Sequence, residues 1–184
     1  LGITLTGLQT GNTDLFLRRW WEVNSSNYGT SVSSRSEAEA SGYKWFPCSK
    51  GGGFRKWSGN NEYAVNWFKD GLEVKRKKGD DLAAGRITAN NSKCWNQEYY
   101  FKEGIGWNLV TSGMTSFRKY DDGVVFDISS PTLFLNRRED SPGFLAFFNS
   151  AVSRVVGTAL NPTLNLAPGV LSKFPSPNQQ EAMK

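Results

Sequence analysis

Histidine is absent from all 184 residues of this chain. That absence excludes a Ser–His–Asp triad, a Cys–His pair and the common histidine-ligated catalytic zinc sites. It narrows the chemistry without excluding catalysis. Cysteine is scarce: Cys48 and Cys94 lie far apart, in no metal-ligand spacing, and read as buried or half-buried thiols in a reducing compartment. No apolar run approaches the roughly 18 residues that span a bilayer. Leu1–Leu17, interrupted by Gln9, Asn12 and Asp14, has no signal-peptide pattern. A cytoplasmic protein without a membrane partner is expected. The start at Leu1 rather than methionine points to a fragment of a longer polypeptide, or to a processed start.

Aromatic residues make up 14% of the chain and hydrophobic residues 38%, enough for a folded protein with a real core. The net charge of +5 is localised. Between Lys44 and Arg86 there are ten Lys or Arg against five Asp or Glu, and the remainder carries twelve of each. Lys75, Arg76, Lys77 and Lys78 form the sharpest cluster. Such a run by itself is commonly a solvated loop. Its company gives it weight, because the same stretch opens with KWFPCSKGGGFRKWSGNNEYAVNW, Lys44–Trp67. Gly51, Gly52 and Gly53 allow positive φ and close approach of another molecule. Lys50, Arg55 and Lys56 add charge, and Trp45, Phe46, Phe54 and Trp57 add flat apolar faces. The combination suits nucleic acid. A glycine-rich hairpin loop over an aromatic core is the alternative.

Short strands are expected over Gly2–Leu5 and Leu17–Val23, then, from Tyr99 onward, over Tyr99–Lys102, Trp107–Thr111, Thr115–Tyr120, Val124–Ile128 and Thr132–Leu135. Asn12 or Thr13 can cap a helical turn. Asn24–Ser41 reads as a surface loop. Asn60 or Asn61 is positioned to cap a short helix through Trp67, and Lys69–Ser92 has no fixed pattern. Pro142–Val156 reads as one packed helix, with Ser141 as N-cap, Gly157 as its stop, and Phe144, Phe148, Val152 and Val155 on the core face. Ser176-Pro177-Asn178-Gln179 is a capping-box pattern. The expected class is α+β, with short antiparallel strands in twisted sheets, that one helix and some helical turns. Residues 1–175 read as one domain and 176–184 as the start of a following helix.

Six blocks, in order, carry a resemblance over nearly the full chain. GLQTGNTDLFLRRWWEV at Gly7–Val23 resembles the opening of the target-recognition region in large single-chain adenine-specific DNA methyltransferases. The Lys44–Trp67 segment is similar to that family's next block. YYFKEGIGWNLVTSG at Tyr99–Gly113 and DDGVVFDISSPTLF at Asp121–Phe134 resemble the third and fourth. GFLAFFNSAV at Gly143–Val152 and ALNPTLNLAPGVLSKFPSP at Ala159–Pro177 resemble the closing part. The likeness is to the PglX-type methyltransferases of BREX phage-defence systems, with TaqI-like specificity domains and type IIG restriction-modification enzymes as wider relatives. Two blocks depart from the pattern. The amide or acid of the first turn is shifted to Asn12-Thr13-Asp14, and a Gln with Gly-Asp-Ile in the closing block is replaced by Leu166-Ala167-Pro168-Gly169-Val170.

The resemblance implies a DNA-binding recognition domain. Its partners would be double-stranded DNA, a methyltransferase domain elsewhere in the same polypeptide and other phage-defence proteins. S-adenosylmethionine would belong to that other domain, and no catalytic residue, cofactor or metal is expected in this chain. Asn161-Pro162-Thr163-Leu164 lacks the second proline and the aromatic of the catalytic Asn-Pro-Pro-aromatic motif, and Gly51–Gly53 lacks the frame of a dinucleotide turn. For phosphates the candidates are Lys50, Arg55, Lys56 and Lys75–Lys78, with Gly51, Gly52 and Gly53 offering backbone N–H groups. For base edges they are Arg76, Asn60, Asn61, Gln9 and Asn12. The four amide residues have structural alternatives, as helix caps for Asn60 and Asn61 and turn formers for Gln9 and Asn12. Most tryptophans are expected in the core, and Arg18, Arg19, Arg118 and Lys119 on solvated strand faces, with an extension of the basic face as their alternative. A carbohydrate-binding β module and a protein-docking scaffold are the competing classes.

Overall fold

A computed structural model describes residues 2–86, 93–161 and 163–175. The capping-box pattern at 176–179, the tail to 184, residue 162 and the side chain of Lys78 lie outside the described residues. In chain order the strands are β1 (Gly2–Leu5), β2 (Leu8–Gln9), β3 (Leu17–Arg19), β4 (Trp45–Ser49), β5 (Tyr63–Asn66), β6 (Lys93–Cys94), β7 (Gly104–Trp107), β8 (Phe117–Tyr120), β9 (Val125–Phe126) and β10 (Thr132–Leu135). The α-helices are α1 (Thr13–Phe16), α2 (Arg35–Ser41), α3 (Phe68–Ala83), α4 (Ser141–Phe148), α5 (Ala151–Leu160) and α6 (Pro168–Leu171). The chain therefore has the α+β class expected of it, with antiparallel and mixed sheets.

The first sheet runs β1-β10-β7-β8, antiparallel throughout, with Ile3 opposite Phe134 and Leu133 opposite Ile105. Strand β7, Gly-Ile-Gly-Trp, is buried at all four positions. Its glycines make that packing feasible: a Cβ on Gly106 would lie 2.3 Å from the Tyr120 ring. Helices α4 and α6 complete this core around Ile105, Trp107, Phe117, Leu133, Phe148 and Leu171. Phe117 and Phe148 stack with centroids 4.9 Å apart. Burying each such phenylalanine contributes on the order of 2–3 kcal/mol.

The second sheet runs β3-β5-β4-β9, antiparallel except for the parallel β4–β9 pair. Pro47 has no N–H to donate, and it sits where β9, paired only to Cys48 and Ser49, leaves β4 uncovered. The core beneath holds Leu17, Phe46, Val65, Trp67, Tyr100 and Phe126. Trp67 and Tyr100 meet edge to face at 5.0 Å. Cys48 is buried here, Cys94 is half-buried, and no disulfide joins them. Burial pushes the Cys48 thiol well above its ordinary value, so it is inert.

Several local expectations are corrected. The single helix over Pro142–Val156 is two helices bent by 77°. Ser150 caps the second of them through the Ser153 amide, and Gly157 lies inside it. Ser141 is the first residue of α4 rather than its cap. Phe144 and Phe148 are core, but the bend turns Val152 and Val155 outward, at 62% and 69% exposure. Asn60 and Asn61 cap nothing, because Tyr63–Asn66 is a strand. Lys69–Ser92, given no pattern, holds most of α3, and Asn24–Ser41 contains α2 capped by Ser34. Tyr99–Lys102 is a 3₁₀ turn and bend rather than a strand, and the Trp20–Trp21 pair leaves β3 as another 3₁₀ turn. No single helix among the described residues is long and apolar enough to cross a membrane.

Candidate nucleic-acid interface

The β4–β5 hairpin separates the two basic elements of the Lys44–Arg86 stretch. Trp45 pairs with Asn66 and Cys48 with Tyr63. The Lys50–Glu62 connection therefore lies at one end of the hairpin, with Lys44 and α3 at the other. A five-residue strand sets these ends about 15 Å apart. The charge that is contiguous in sequence is thus divided in space.

At the α3 end the cations are matched by acids. Lys75 Nζ lies 2.8 Å from an Asp70 carboxylate oxygen, which Arg35 also binds, and Lys77 is held by Asp81 together with Arg86. Lys44 reaches Glu73 at 2.8 Å. Burial pushes the Asp70 carboxyl up, but the bonds from Arg35 and Lys75 outweigh it and hold it below the usual carboxylate range. The Lys44 hydrogen bond does the same for Glu73, and Lys77 and Arg86 do so for Asp81. Within the Lys75–Lys78 run, Arg76 is exposed and makes no ion pair among the described residues.

At the other end the Gly51–Ser58 loop is fastened to the first sheet. Gly51 has φ +72° and is buried, and a Cβ there would sit 3.0 Å from the Ser129 carbonyl oxygen. Asn108 Nδ2 donates to the Gly52 carbonyl at 2.5 Å, and Asn60 Nδ2 to the Gly53 carbonyl at 3.0 Å. Asn60, only 2% exposed, is therefore a brace for the loop and is not presented to a groove. Behind Asn108 lies Arg118, wholly buried. It donates to Asn108 Oδ1 at 2.8 Å, to the Tyr120 hydroxyl at 3.1 Å and to Ser116 Oγ at 3.3 Å. Those partners are all neutral, so a full positive charge stands beneath the loop. The backbone of Trp57 bridges to β8, donating to the Phe117 carbonyl and accepting from the Lys119 amide.

This anchoring leaves Phe54 and Trp57 half exposed, at 50% and 52%. Between them Arg55 pairs with Glu62 at 3.2 Å, and Lys56 donates to the Asn149 backbone carbonyl at 2.7 Å. Lys50 sits 3.9 Å from Asp127. Gly53 faces open space, whereas Gly51 and Gly52 pack against the protein itself. The expected glycine surface thus reduces to Gly53.

Strand β3 brings further groups to this end, since Arg19 pairs with Tyr63 and the Trp20 amide donates to the Glu62 carbonyl. Arg19 lies over the Tyr63 ring at 4.2 Å and near Trp21 at 5.7 Å. Trp20 and Trp21 are half exposed. Trp67 and Trp107 are core as expected, but Trp20, Trp21 and Trp57 are not. The signal was available: each of the three adjoins an arginine, lysine or glutamate, a polar setting poor for burial. The other expected site residues have local duties or none. Asn12 caps α1 by accepting from the Leu15 amide, and Gln9 lies on β2, paired with β6. Asn61 is exposed. Lys119 is held by Glu103 and Asp121, and Arg118, expected on a solvated face, is buried. No cluster of three or more metal-ligating side chains occurs among the described residues.

This chain is homologous to one segment of adenine-specific methyltransferases. It is 35% identical over 173 residues to the adenine-specific methyltransferase PglX of Lacticaseibacillus casei (strain Zhang), matching 94% of this chain and 14% of that protein. It is 33% identical over 172 residues to the adenine-specific methyltransferase BrxX of Escherichia coli O9:H4 (strain HS), matching 92% of this chain and 13% of that protein. The chain spans about a seventh of the length of these relatives. No family model matches it.

Proposed function

We propose that this chain is the DNA target-recognition region of an adenine-specific, S-adenosylmethionine-dependent DNA methyltransferase of a phage-defence system. One observation carries the reading: the loop end of the β4–β5 hairpin gathers Arg19, Lys50, Arg55 and Lys56 with the half-exposed rings of Trp20, Trp21, Phe54 and Trp57. Cations interleaved with flat apolar faces hold a phosphate backbone and accept unstacked bases. A methyltransferase has to extrude its target base, so a region that grips the duplex meanwhile is required. Methyl transfer itself belongs to another part of the parent protein. Gly51–Gly53 lies between two strands, with no helix to receive a cofactor's anionic group, so the residues here do not fit S-adenosylmethionine and no step is assigned to it.

Fluorescence anisotropy with a labelled duplex at several salt concentrations tests the proposal. With four phosphate contacts, log K falls against log salt with a slope near −4. A flat salt response would reject it and favour the glycan-binding alternative that the exposed tryptophans also allow. Binding to an acidic protein but not to duplex DNA would favour the docking scaffold.

A further inference from the structure

A cleft of about 350 Å³ opens beside Lys56, between β8 and the face of α5 that carries Ser150, Ser153, Arg154 and Gly157. Two cations, Lys56 and Arg154, line it, and none of the lining residues is Asp or Glu. The acid-free character has a source in sequence: no acid occurs between Asp140 and Glu181. Among the described residues, no carboxylate competes with the positive charge that meets whatever enters this cleft.

The cleft is framed by one side chain. Asn149 accepts from the Phe117 amide at 3.1 Å and donates to the Phe117 carbonyl at 2.9 Å, imitating a strand against the edge of β8. That contact fixes the start of α5 at the cleft, with the Lys56 ammonium bound to the Asn149 carbonyl beside it. The first-turn amides of this ten-residue helix have no acceptor within it and carry the positive end of its dipole. Ser150 Oγ takes the Ser153 amide, leaving those of Ala151 and Val152. A second observation is independent of the helix end. Ser153 is only 3% exposed and lines the cleft, yet its hydroxyl makes no hydrogen bond among the described residues. A hydroxyl on the cleft wall without a protein partner is a donor open to a ligand. Among the described residues the Arg154 side chain, nearby, bonds only the Met114 sulfur at 3.1 Å, a weak acceptor that a phosphate oxygen displaces.

We infer that this cleft binds the phosphate group of a nucleotide. Arg154, Lys56, the Ser153 hydroxyl and the α5 amides are its donors, and the apolar wall of Phe117, Phe148 and Leu166 leaves room for the attached nucleoside. The phosphate belongs to a DNA strand if the preceding proposal holds, and to a free nucleotide otherwise. In the first case the cleft extends the loop-end surface through Lys56, which belongs to both.

Amide NMR of the 184-residue chain tests this, with inorganic phosphate, adenosine monophosphate and a short duplex added separately and ionic strength matched with chloride. The Ala151, Val152 and Ser153 amides should shift with phosphate and with the nucleotide. R154Q should weaken both by roughly tenfold, S153A should weaken them less, and K102Q, an exposed cation elsewhere, should have no effect. With the duplex, R154Q should reduce the salt slope by about 1. Unmoved 151–153 amides with all three ligands overturn the site, as do responses unaffected by R154Q. Duplex binding that leaves these amides unmoved also overturns it, while sparing DNA recognition at the loop end. Shifts with the mononucleotide in a chain that binds no duplex keep the phosphate site and reject the DNA reading.

Discussion

The two ends of the β4–β5 hairpin both carry clustered cations and hold them differently. At the α3 end, Lys75, Lys77, Lys44 and Arg35 each face a carboxylate. At the loop end, among the described residues, only Arg55 and Lys50 stand near acids, at 3.2 Å from Glu62 and 3.9 Å from Asp127, while Lys56 faces a backbone carbonyl, Arg19 faces rings, and the buried Arg118 faces neutral acceptors. A lysine bound to an aspartate has to give up that partner before it can neutralise a phosphate, so much of its binding free energy is spent on exchange. A lysine held by a carbonyl retains its full charge. The difference shows why a count of basic residues misjudges a binding surface: the distribution of the acids decides which of the cations act.

The largest effect should come from removing the brace at the active-looking end. Asn149 is 6% exposed, and its amide satisfies both backbone groups of Phe117. The N149A substitution leaves the Phe117 amide buried without an acceptor, costing about 2–3 kcal/mol. For a chain of this size that lowers Tm by roughly 5–10 °C. Removing the Asp81 ion pairs with Lys77 and Arg86 at the α3 end, by D81N, should cost much less, because solvent screens them. Thermal melts of the two variants compare the ends directly, and equal losses would remove the structural half of the contrast.

Charge neutralisation sharpens the functional half. K56Q combined with R19Q should weaken duplex binding about 10–30-fold, whereas K75Q with K77Q should weaken it less than threefold, since those lysines are already neutralised in place. Anisotropy titrations at fixed salt measure both. Equal losses would return α3 to the interface and revive the uniform basic surface.

How much of this was legible in the sequence depended on the range of the interactions involved. Strands Gly2–Leu5 and Thr132–Leu135 have the bounds their alternating or continuous apolar runs implied. The Asp121-Asp122-Gly123 turn is present, but it links β8 of one sheet to β9 of the other, a topology that no local signal carries. The helix after Asp140 failed at Asn149. Phe144, Phe148, Val152 and Val155 keep perfect helical spacing, yet Asn149 leaves the helix to pair with Phe117, 32 residues away in sequence. In the candidate site, Gly51–Gly53 and Lys56 stood out in the sequence by composition. Arg154 and Ser153 did not, because their significance rests on the absence of acids around a cleft formed by distant segments. The acids at positions 70, 73 and 81 were counted correctly in the charge balance, but only the fold assigns each to a cation.

The smallest effect tests the α3 end by itself. Asp70 joins α2 to α3 through Arg35 and Lys75, and its carboxyl is held below its ordinary value in the folded chain. A carboxyl whose folded pKa is depressed adds stability that is fully present above its unfolded value of about 3.9 and is lost as pH falls toward the folded one. The contribution should be under about 1 kcal/mol, because the Arg35 and Lys75 side chains are each 38% exposed and solvent screens them. Asp70 has φ +58°, a conformation that asparagine also tolerates, so D70N removes the charge without new backbone strain. Melting curves at pH 6 and pH 3 should therefore show the wild-type chain more stable than D70N at the higher pH and the two converging at the lower. A gap that stays constant across the acid range would mean that Asp70 contributes through its hydrogen-bond geometry alone. The lysines of α3 would then be less firmly neutralised than the contrast between the two ends requires.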